Sequence, residues 1–177
     1  TAQARTAAFG ISTVMTDRLQ LNADVSYSHI DATESSGGVD EIPDSGDQFY
    51  FDVSLIGSSL LRVGDTTIFS LRRSTTSNAT TNTLMVDMRY PVGEGLRLSP
   101  RVAVSQREYS SDDTSQWVVS PMLRLLYRWH RRYRFELDVG ARWTDRDLEQ
   151  TYFDDTVFKD DEQWTEYYIN LGYQAEF

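Results

Sequence analysis

The chain has 177 residues and a formal net charge of −10 at pH 7, from 17 Lys and Arg against 27 Asp and Glu. This length indicates one domain, and a sequence without cysteine excludes a disulfide framework and a cysteine-based zinc site. No apolar run reaches the roughly eighteen residues that a membrane-spanning helix needs. A soluble acidic domain and a β-barrel with a polar interior are both compatible with these totals.

Alternation of apolar and polar residues predicts a chain made of β-strands, because successive strand side chains point to opposite faces. Most segments run for about ten to fourteen residues, long enough for a tilted strand to cross a bilayer, whereas strands of soluble proteins average about six. Nine segments are predicted: 5–15, 19–30, 48–60, 66–76, 82–91, 96–109, 116–129, 133–146 and 164–177.

The alternation is weakest in 5–15 and in 66–76, where Arg73 falls among the apolar positions. It is clearest in the second half of the chain. One face of 117–129 is apolar throughout, with Trp117, Val119, Pro121, Leu123, Leu125, Tyr127 and Trp129. The same holds in 133–143, with Tyr133, Phe135, Leu137, Val139, Ala141 and Trp143.

The predicted connections alternate between short and long. Short ones, rich in Gly, Asp and Arg, fall at 16–18, 63–65, 92–95 and 130–132, and longer ones at 31–47, 77–81, 110–115 and 147–163. Short turns on one side and longer loops on the other are typical of outer-membrane barrels. The two longest loops are acidic. Solvation accounts for their charge, and contact with divalent cations or lipopolysaccharide is the alternative.

The last segment ends on Phe177. Tyr167, Ile169, Leu171, Tyr173, Ala175 and Phe177 share one face of a strand. This strand resembles the final strand of Gram-negative outer-membrane β-barrel proteins. The resemblance implies a location in the bacterial outer membrane with a periplasmic C-terminus, contact with lipid and lipopolysaccharide, and recognition by the barrel-assembly machinery. It also implies that Tyr173 and Phe177 serve as the assembly signal.

The strand count leaves two interpretations. If the last strand ends in the periplasm, the first of nine strands begins outside, whereas a complete single-chain barrel of this class has an even strand number and both ends inside. One interpretation is that 1–177 is a single barrel domain forming the C-terminal part of a larger antiparallel up-and-down transmembrane β-barrel. The other is a complete eight-stranded barrel, with one strand too many counted near 1–15.

Aromatic residues on the apolar parity form two bands near the strand ends, as expected where amphipathic rings meet the water–lipid interfaces. The band near the short turns contains Tyr90, Tyr127, Trp129, Tyr133, Phe135, Tyr173 and Phe177. The band near the long loops contains Tyr27, Phe49, Phe51, Trp117, Trp143 and Tyr167.

Arginines mark the opposite parity. The candidate lumen residues are Arg72, Arg89, Arg97, Arg101, Arg124, Arg128, Arg134 and Arg142, with Arg107 on the same parity. A guanidinium is always charged and forks onto carboxylates, sulfates or phosphates. This strip either lines an aqueous channel for anions or forms ion pairs that fill a closed lumen. Arg97, Arg101, Arg124 and Arg128 are the leading candidates, because no acid lies beside them on their own strands.

Catalysis, cofactor binding and nucleic-acid binding find little support. His29 and His130 lie at opposite strand ends, about 30 Å apart at the usual strand rise, and Ser28 points away from His29. No phosphate loop, dinucleotide fingerprint or metal-binding motif is present. Nucleic-acid binding is not expected, because the arginines are interleaved with acids. We therefore expect no enzyme activity, no cofactor and no metal.

The sequence favours an outer-membrane channel or export porin that passes anionic solutes or polymer. An arginine-lined lumen is similar to barrels that export anionic exopolysaccharides, some of which follow a periplasmic tetratricopeptide-repeat domain. A closed barrel serving as a membrane anchor or adhesion scaffold, through its acidic loops, is the alternative. A lipid-modifying barrel enzyme using His29 is a further alternative.

Overall fold

A computed structural model describes residues 4–31, 46–110, 114–130, 132–151 and 157–175, with 148–151 and 157–160 described by their backbone alone. These residues form one sheet of nine strands, in which each strand pairs antiparallel with the next along the chain. The strands are β1 (Ala4–Thr16), β2 (Leu19–Ile30), β3 (Gln48–Ser58), β4 (Thr66–Thr75), β5 (Ala79–Pro91), β6 (Leu96–Tyr109), β7 (Ser115–Trp129), β8 (Tyr133–Thr151) and β9 (Val157–Ala175).

The predicted all-β, antiparallel, up-and-down arrangement of nine strands is confirmed, and most predicted boundaries agree to within a few residues. The last long loop is the exception. Most of the predicted loop 147–163 belongs to β8 and β9, which continue to pair up to Thr151 and Val157. The predicted loop at 77–81 is also shorter, because β5 already begins at Ala79.

The connections define two ends of the sheet. At what we call the turn end, β1 joins β2, β3 joins β4, β5 joins β6 and β7 joins β8. The opposite ends of the strands form what we call the loop end. Gly64 and Gly95 at the turn end have φ angles of 86° and 82°, a backbone region in which glycine is not hindered by a Cβ atom. At Gly95 a side chain would also overlap the backbone carbonyl of Arg128.

Asp65 organises the connection between β3 and β4. It is 2% exposed, and its carboxylate accepts backbone N–H bonds from Leu60, Leu61 and Arg62 at 2.8, 2.7 and 2.8 Å. Three amides that the turn would leave unpaired are thereby satisfied. The aspartate predicted at this turn thus acts as a local cap.

The sheet is not closed. β1 and β9 are its edges and do not pair with each other. Both run from the loop end to the turn end, because they are separated by an odd number of antiparallel neighbours. The predicted complete eight-stranded barrel is therefore not the arrangement found, since nine strands are present and the first does not contact the last.

The register gives the sheet two chemically distinct faces. On what we call the apolar face, one row of residues that face each other in the register crosses all nine strands with a single polar member. That row contains Ile11, Ala23, Val53, Leu71, Leu84, Val104, Val119, Trp143 and Thr165. The opposite face, which we call the arginine face, carries most of the strand charges. No helix in the described part of the chain is long and apolar enough to cross a membrane.

Candidate functional site

The eight candidate lumen arginines all lie on the arginine face. The register pairs Arg72 with Asp52, Arg101 with Asp87 and Arg124 with Asp138, so these residues share a face with one another. The other five follow from their parity with these positions. The structure therefore places each of the eight on the face that the alternation predicts. They are Arg72, Arg89, Arg97, Arg101, Arg124, Arg128, Arg134 and Arg142.

Four of these arginines form ion pairs, three of them across strands and the fourth, Arg134, within β8. Arg124 donates from Nε and Nη2 to the two carboxylate oxygens of Asp138, both at 2.8 Å. Its Nε also lies 3.1 Å from Glu136 Oε1, while Arg134 Nη2 lies 3.2 Å from Glu136 Oε2. The result is a connected group of two guanidinium and two carboxylate groups on β7 and β8.

The other two pairs join strands nearer the middle of the sheet. Arg101 contacts the carboxylate of Asp87, a side chain that is 9% exposed, and Arg72 Nε lies 3.1 Å from Asp52 Oδ2. All four paired arginines remain about half exposed. Each therefore keeps part of its guanidinium toward the space in front of the sheet.

Arg89, Arg97 and Arg128 have no ion pair within the part of the chain that the structure describes. They lie toward the turn end, on β5, β6 and β7. Two neighbouring grooves are lined by them: Arg89 and Arg97 line one, and Arg97 and Arg128 line the other. Arg142 stands opposite Glu166 in the register without forming one of these ion pairs.

Reasoning strand by strand missed the partners of Arg101 and Arg124. No acid lies beside either residue on its own strand, but acids face both on the neighbouring strand. The positions of the turns fix the register between strands and would have identified these partners. The connection at 130–132 sets Trp129 opposite Tyr133, and counting outward from that pair places Arg124 opposite Asp138.

The apolar face carries an aromatic cluster at the turn end. Tyr127, Trp129, Tyr133, Phe135 and Tyr173 lie on three adjacent strands, with ring centroids between 5.2 and 6.5 Å apart for the contacting pairs. These distances suit aromatic packing. Tyr173 of the predicted assembly signal belongs to this cluster, whereas Phe177 lies outside the described residues.

His29 lies at the loop end, on the apolar face. Its Nδ1 is 3.1 Å from Asp47 Oδ1, and its Nε2 is 3.0 Å from Asp31 Oδ1. Tyr27 also donates to Asp47 at 2.7 Å. This hydrogen bond, together with one from His29, lowers the pKa of the Asp47 carboxyl, although burial acts in the opposite direction.

The neighbouring serine does not join this group. Ser28 lies on the arginine face, where its hydroxyl is 3.4 Å from Gln48 Oε1. The sequence prediction that Ser28 and His29 point to opposite faces is confirmed. Ser28 and His29 therefore do not form a pair of nucleophile and base.

The acidic loops are only partly described. Glu34, Asp40, Glu41, Asp44, Asp154 and Asp155 lie outside the described residues. Within the described ranges, no group of three or more His, Cys, Asp or Glu side chains could hold a metal ion. The chemistry that the described residues offer is recognition of anions by guanidinium groups.

Comparison with family models, curated proteins and solved structures finds no match to this chain.

Proposed function

We propose that these nine strands form part of a membrane-spanning β-barrel of the bacterial outer membrane, with a water-filled lumen that passes anionic solutes or polymer. The observation that carries the proposal is the separation of the two faces. Eight arginines lie on one face, and a band of apolar side chains covers the other. Lipid outside and water inside account for both faces of a single sheet.

The exposure of the apolar face supports lipid contact. Leu71 and Leu84 are 51% and 52% exposed although they lie on inner strands of the sheet. In water, burying such side chains would stabilise the protein by roughly 1.5–3 kcal/mol each. Soluble monomers rarely expose contiguous apolar surface, and this row continues across the sheet.

The position of the apolar band indicates tilted strands. On β2 the band is centred on Ala23, whose row of register partners reaches β9 at Thr165. On β9 the band is centred six residues further on, at Leu171. At about 3.4 Å per residue and 4.8 Å per strand, the band shifts by about 20 Å over about 34 Å. This corresponds to a tilt of about 30°, close to the 35–45° of barrel strands.

Unpaired arginines favour a water-filled lumen over a filled one. Taking a guanidinium out of water without a partner costs several kcal/mol, so a closed core would pair its charges. Arg89, Arg97 and Arg128 have no acidic partner among the described residues. Their chemistry suits contact with water and with passing anions.

The ion pairs favour a second candidate, a closed barrel that acts as an anchor or adhesion scaffold. Arg124, Asp138 and Glu136 form a connected network of the kind that fills small barrels. In that case the acidic loops would be the working surface.

The two edges support the proposal that the sheet is one part of a larger barrel. β1 and β9 run in the same direction, so an all-antiparallel closure needs an odd number of further strands between them. Their apolar side chains are also the most exposed of the face, with 68% for Phe9 and 83% for Leu171. A neighbouring strand would cover both.

Introduced cysteines test this closure, because the chain has none of its own. Ile11, the register partner of Ala23, and Leu171 lie near the centre of the apolar band on β1 and β9, so they lie at about the same depth in a tilted barrel. Direct pairing of the edges would bring their Cα atoms within disulfide range, whereas one intervening strand separates them by about 10 Å, beyond the roughly 7 Å limit. We expect no disulfide in Ile11→Cys with Leu171→Cys, and a positive control in Ile11→Cys with Ala23→Cys. Rapid crosslinking of the edges would contradict the proposal.

Single-channel conductance of the full natural chain in planar bilayers tests the function. We expect an anion-selective conductance that loses its selectivity in Arg97→Glu with Arg128→Glu. The matched control is Arg5→Glu with Arg73→Glu, which makes the same change of charge on the apolar face. A folded barrel without conductance would favour the scaffold.

A further inference from the structure

We infer that Arg89, Arg97 and Arg128 form a binding site at the turn end for a solute that carries several oxyanion groups. We call these three residues the arginine arc. The inference deepens the proposed function and rests on it for the solute's route, because it names where an anionic solute first binds. Its test requires no ion flow.

The register places the three side chains next to one another. Arg97 on β6 faces Pro91 on β5 and Leu126 on β7. Arg89 and Arg128 lie two residues from these partners, so both are diagonal neighbours of Arg97. Diagonal neighbours have Cα atoms about 7–8 Å apart, within reach of long side chains. Two guanidinium groups at this spacing can contact one oxyanion between them.

The arc follows an oblique path in the proposed barrel. From each strand to the next, the arc moves by two residues, about 7 Å, toward the turn end. The apolar band moves the same way by about 3 Å per strand, which is the effect of strand tilt. The remaining difference is about 4 Å per strand, so the three arginines are spread over about 8 Å of depth. Like charges that line a lumen are how channels select ions by sign.

The positive charge of the arc is not neutralised by nearby acids. Asp87 is occupied by Arg101, Asp138 by Arg124, and Glu136 by Arg124 and Arg134. The arc therefore adds three guanidinium groups to a stretch of the arginine face whose carboxylates are already paired, and Glu94 of the adjoining turn forms no ion pair with them. An oxyanion placed between two of them relieves their mutual repulsion and accepts charge-assisted hydrogen bonds.

The grooves indicate why several oxyanions are preferred to one. Arg97 lines both grooves, with Arg89 and Ser99 in one and with Arg128 and Gly95 in the other. Each groove offers a position between two guanidinium groups. A ligand with two or more anionic groups can fill both positions at once, whereas a single carboxylate fills one.

Binding of tripolyphosphate to the full natural chain in detergent micelles tests the site, with acetate as the ligand of single charge. We expect Arg89→Gln with Arg97→Gln and Arg128→Gln to weaken tripolyphosphate binding about tenfold or more, as three exposed charge pairs are lost. The matched control is Arg5→Gln with Arg18→Gln and Arg73→Gln, which removes the same charge elsewhere and should retain the affinity within about twofold.

Single variants keep the test decisive if the triple variant does not fold. Arg97→Gln should weaken binding more than either Arg89→Gln or Arg128→Gln, because Arg97 lines both grooves. Equal losses in the arc and control triples would overturn the site, since the effect would then be general charge attraction. Wild-type protein that binds tripolyphosphate no more tightly than acetate would also overturn it.

The result separates this inference from the channel. Arc-dependent binding without conductance would keep the site and reject the channel. Anion-selective conductance without arc-dependent binding would keep the channel and reject the site.

Discussion

At the scale of single residues, the arginines of one face divide into two groups with different roles. Arg101 and Arg124 contact carboxylates across the strands, whereas Arg97 and Arg128 contact none in the described ranges. The paired side chains are about half exposed, so each pair contributes about 0–1 kcal/mol to stability in water. Their main effect is therefore to occupy the acids, which leaves the remaining guanidinium groups uncompensated.

Gly140 shows how tightly two neighbouring strands pack on this face. The glycine is buried, and a Cβ atom at this position would overlap the phenol ring of Tyr168 on β9. We expect Gly140→Ala to lower the free energy of unfolding by about 1 kcal/mol, because the half-exposed Tyr168 ring must leave its preferred position over the glycine. Urea unfolding in micelles measures this change.

Gly172 provides the matched control for that substitution. It lies on the same face, but an added Cβ atom there would meet Glu136 Cβ at 3.5 Å, an ordinary contact. Gly172→Ala should be nearly neutral. Tyr168→Ala should also remove most of the penalty of Gly140→Ala. Equal costs for the two glycines would show that the Tyr168 ring does not set the limit.

Asp65 predicts a specific dependence of stability on pH. Burial alone would raise the pKa of its carboxyl, but hydrogen bonds from the amides of Arg62, Leu61, Leu60 and Ser59 hold the pKa below its ordinary value. A lowered pKa in the folded state stabilises the protein above the unfolded-state pKa, about 4. This stabilisation is lost as the pH falls from about 4 through the folded-state pKa.

The variant Asp65→Asn should be less stable at neutral pH and should lack that acid-dependent loss. Unfolding followed between about pH 6 and pH 3 checks both effects. Glu94→Gln is the control, because it removes an exposed carboxyl from another connection at the turn end. If Asp65→Asn keeps the full pH dependence of the wild type, the cap is not its source.

At the scale of strands, the sequence alternation was enough to locate every element. An alternation of apolar and polar side chains, with a period of two residues, identifies a strand wherever one face is apolar. Seven of the nine segments show this alternation clearly. The pattern fails beyond Asp145 on β8, because both faces become polar there. Cross-strand hydrogen bonds alone extend β8 and β9, and they leave no signal in hydropathy.

The extension of β8 and β9 forms a two-stranded ribbon beyond the rest of the sheet. β7 pairs with β8 only as far as Ser115 and Asp147, whereas β8 and β9 pair to Thr151 and Val157. Replacing 148–160 by Asn-Gly should leave the free energy of unfolding within about 1 kcal/mol, because an isolated hairpin is marginally stable. Urea unfolding of the shortened chain measures this.

The same variant separates the two candidate functions. An adhesion scaffold would lose binding to its target when the acidic ribbon is removed, while a channel would keep its anion selectivity. A shortened chain that fails to fold would show instead that the ribbon is needed for assembly of the sheet.

The candidate site could be predicted only in part, because its ion pairs, like the extension of β8 and β9, depend on how neighbouring strands pair. Parity assigns each arginine to a face, and this assignment needs one strand at a time. Pairing with an acid depends on the register of two strands, which the turn geometry sets. Asp87 and Asp138 were therefore assigned to the correct face without being assigned to Arg101 and Arg124.

At the scale of the whole molecule, the apolar band and the arginine arc lie on opposite faces and both move toward the turn end from β5 to β7. The band moves by about 3 Å per strand and the arc by about 7 Å per strand. The loop end carries acids such as Asp145, Asp147 and Asp161, while the turn end carries the arc.

A pair of adjacent residues tests the assignment of the two faces to lipid and water. Val53 lies near the centre of the apolar band on β3, between Ala23 and Leu71. Ser54 lies on the arginine face, between Asn22 and Ser70. In the full natural chain folded in dilauroylphosphatidylcholine vesicles, Val53→Arg should cost about 2–4 kcal/mol, the usual penalty for an arginine at the lipid midplane.

Ser54→Arg should cost less than about 1 kcal/mol in the same vesicles, because its guanidinium enters water beside Asp24 and Asp52 rather than lipid. The two variants add the same side chain to the same strand, so β-propensity and chain charge cannot explain a difference between them. Unfolding in urea gives both free energies. Equal penalties, or a chain that remains folded and monomeric without lipid or detergent, would mean that the apolar face packs against protein and that the barrel assignment is wrong.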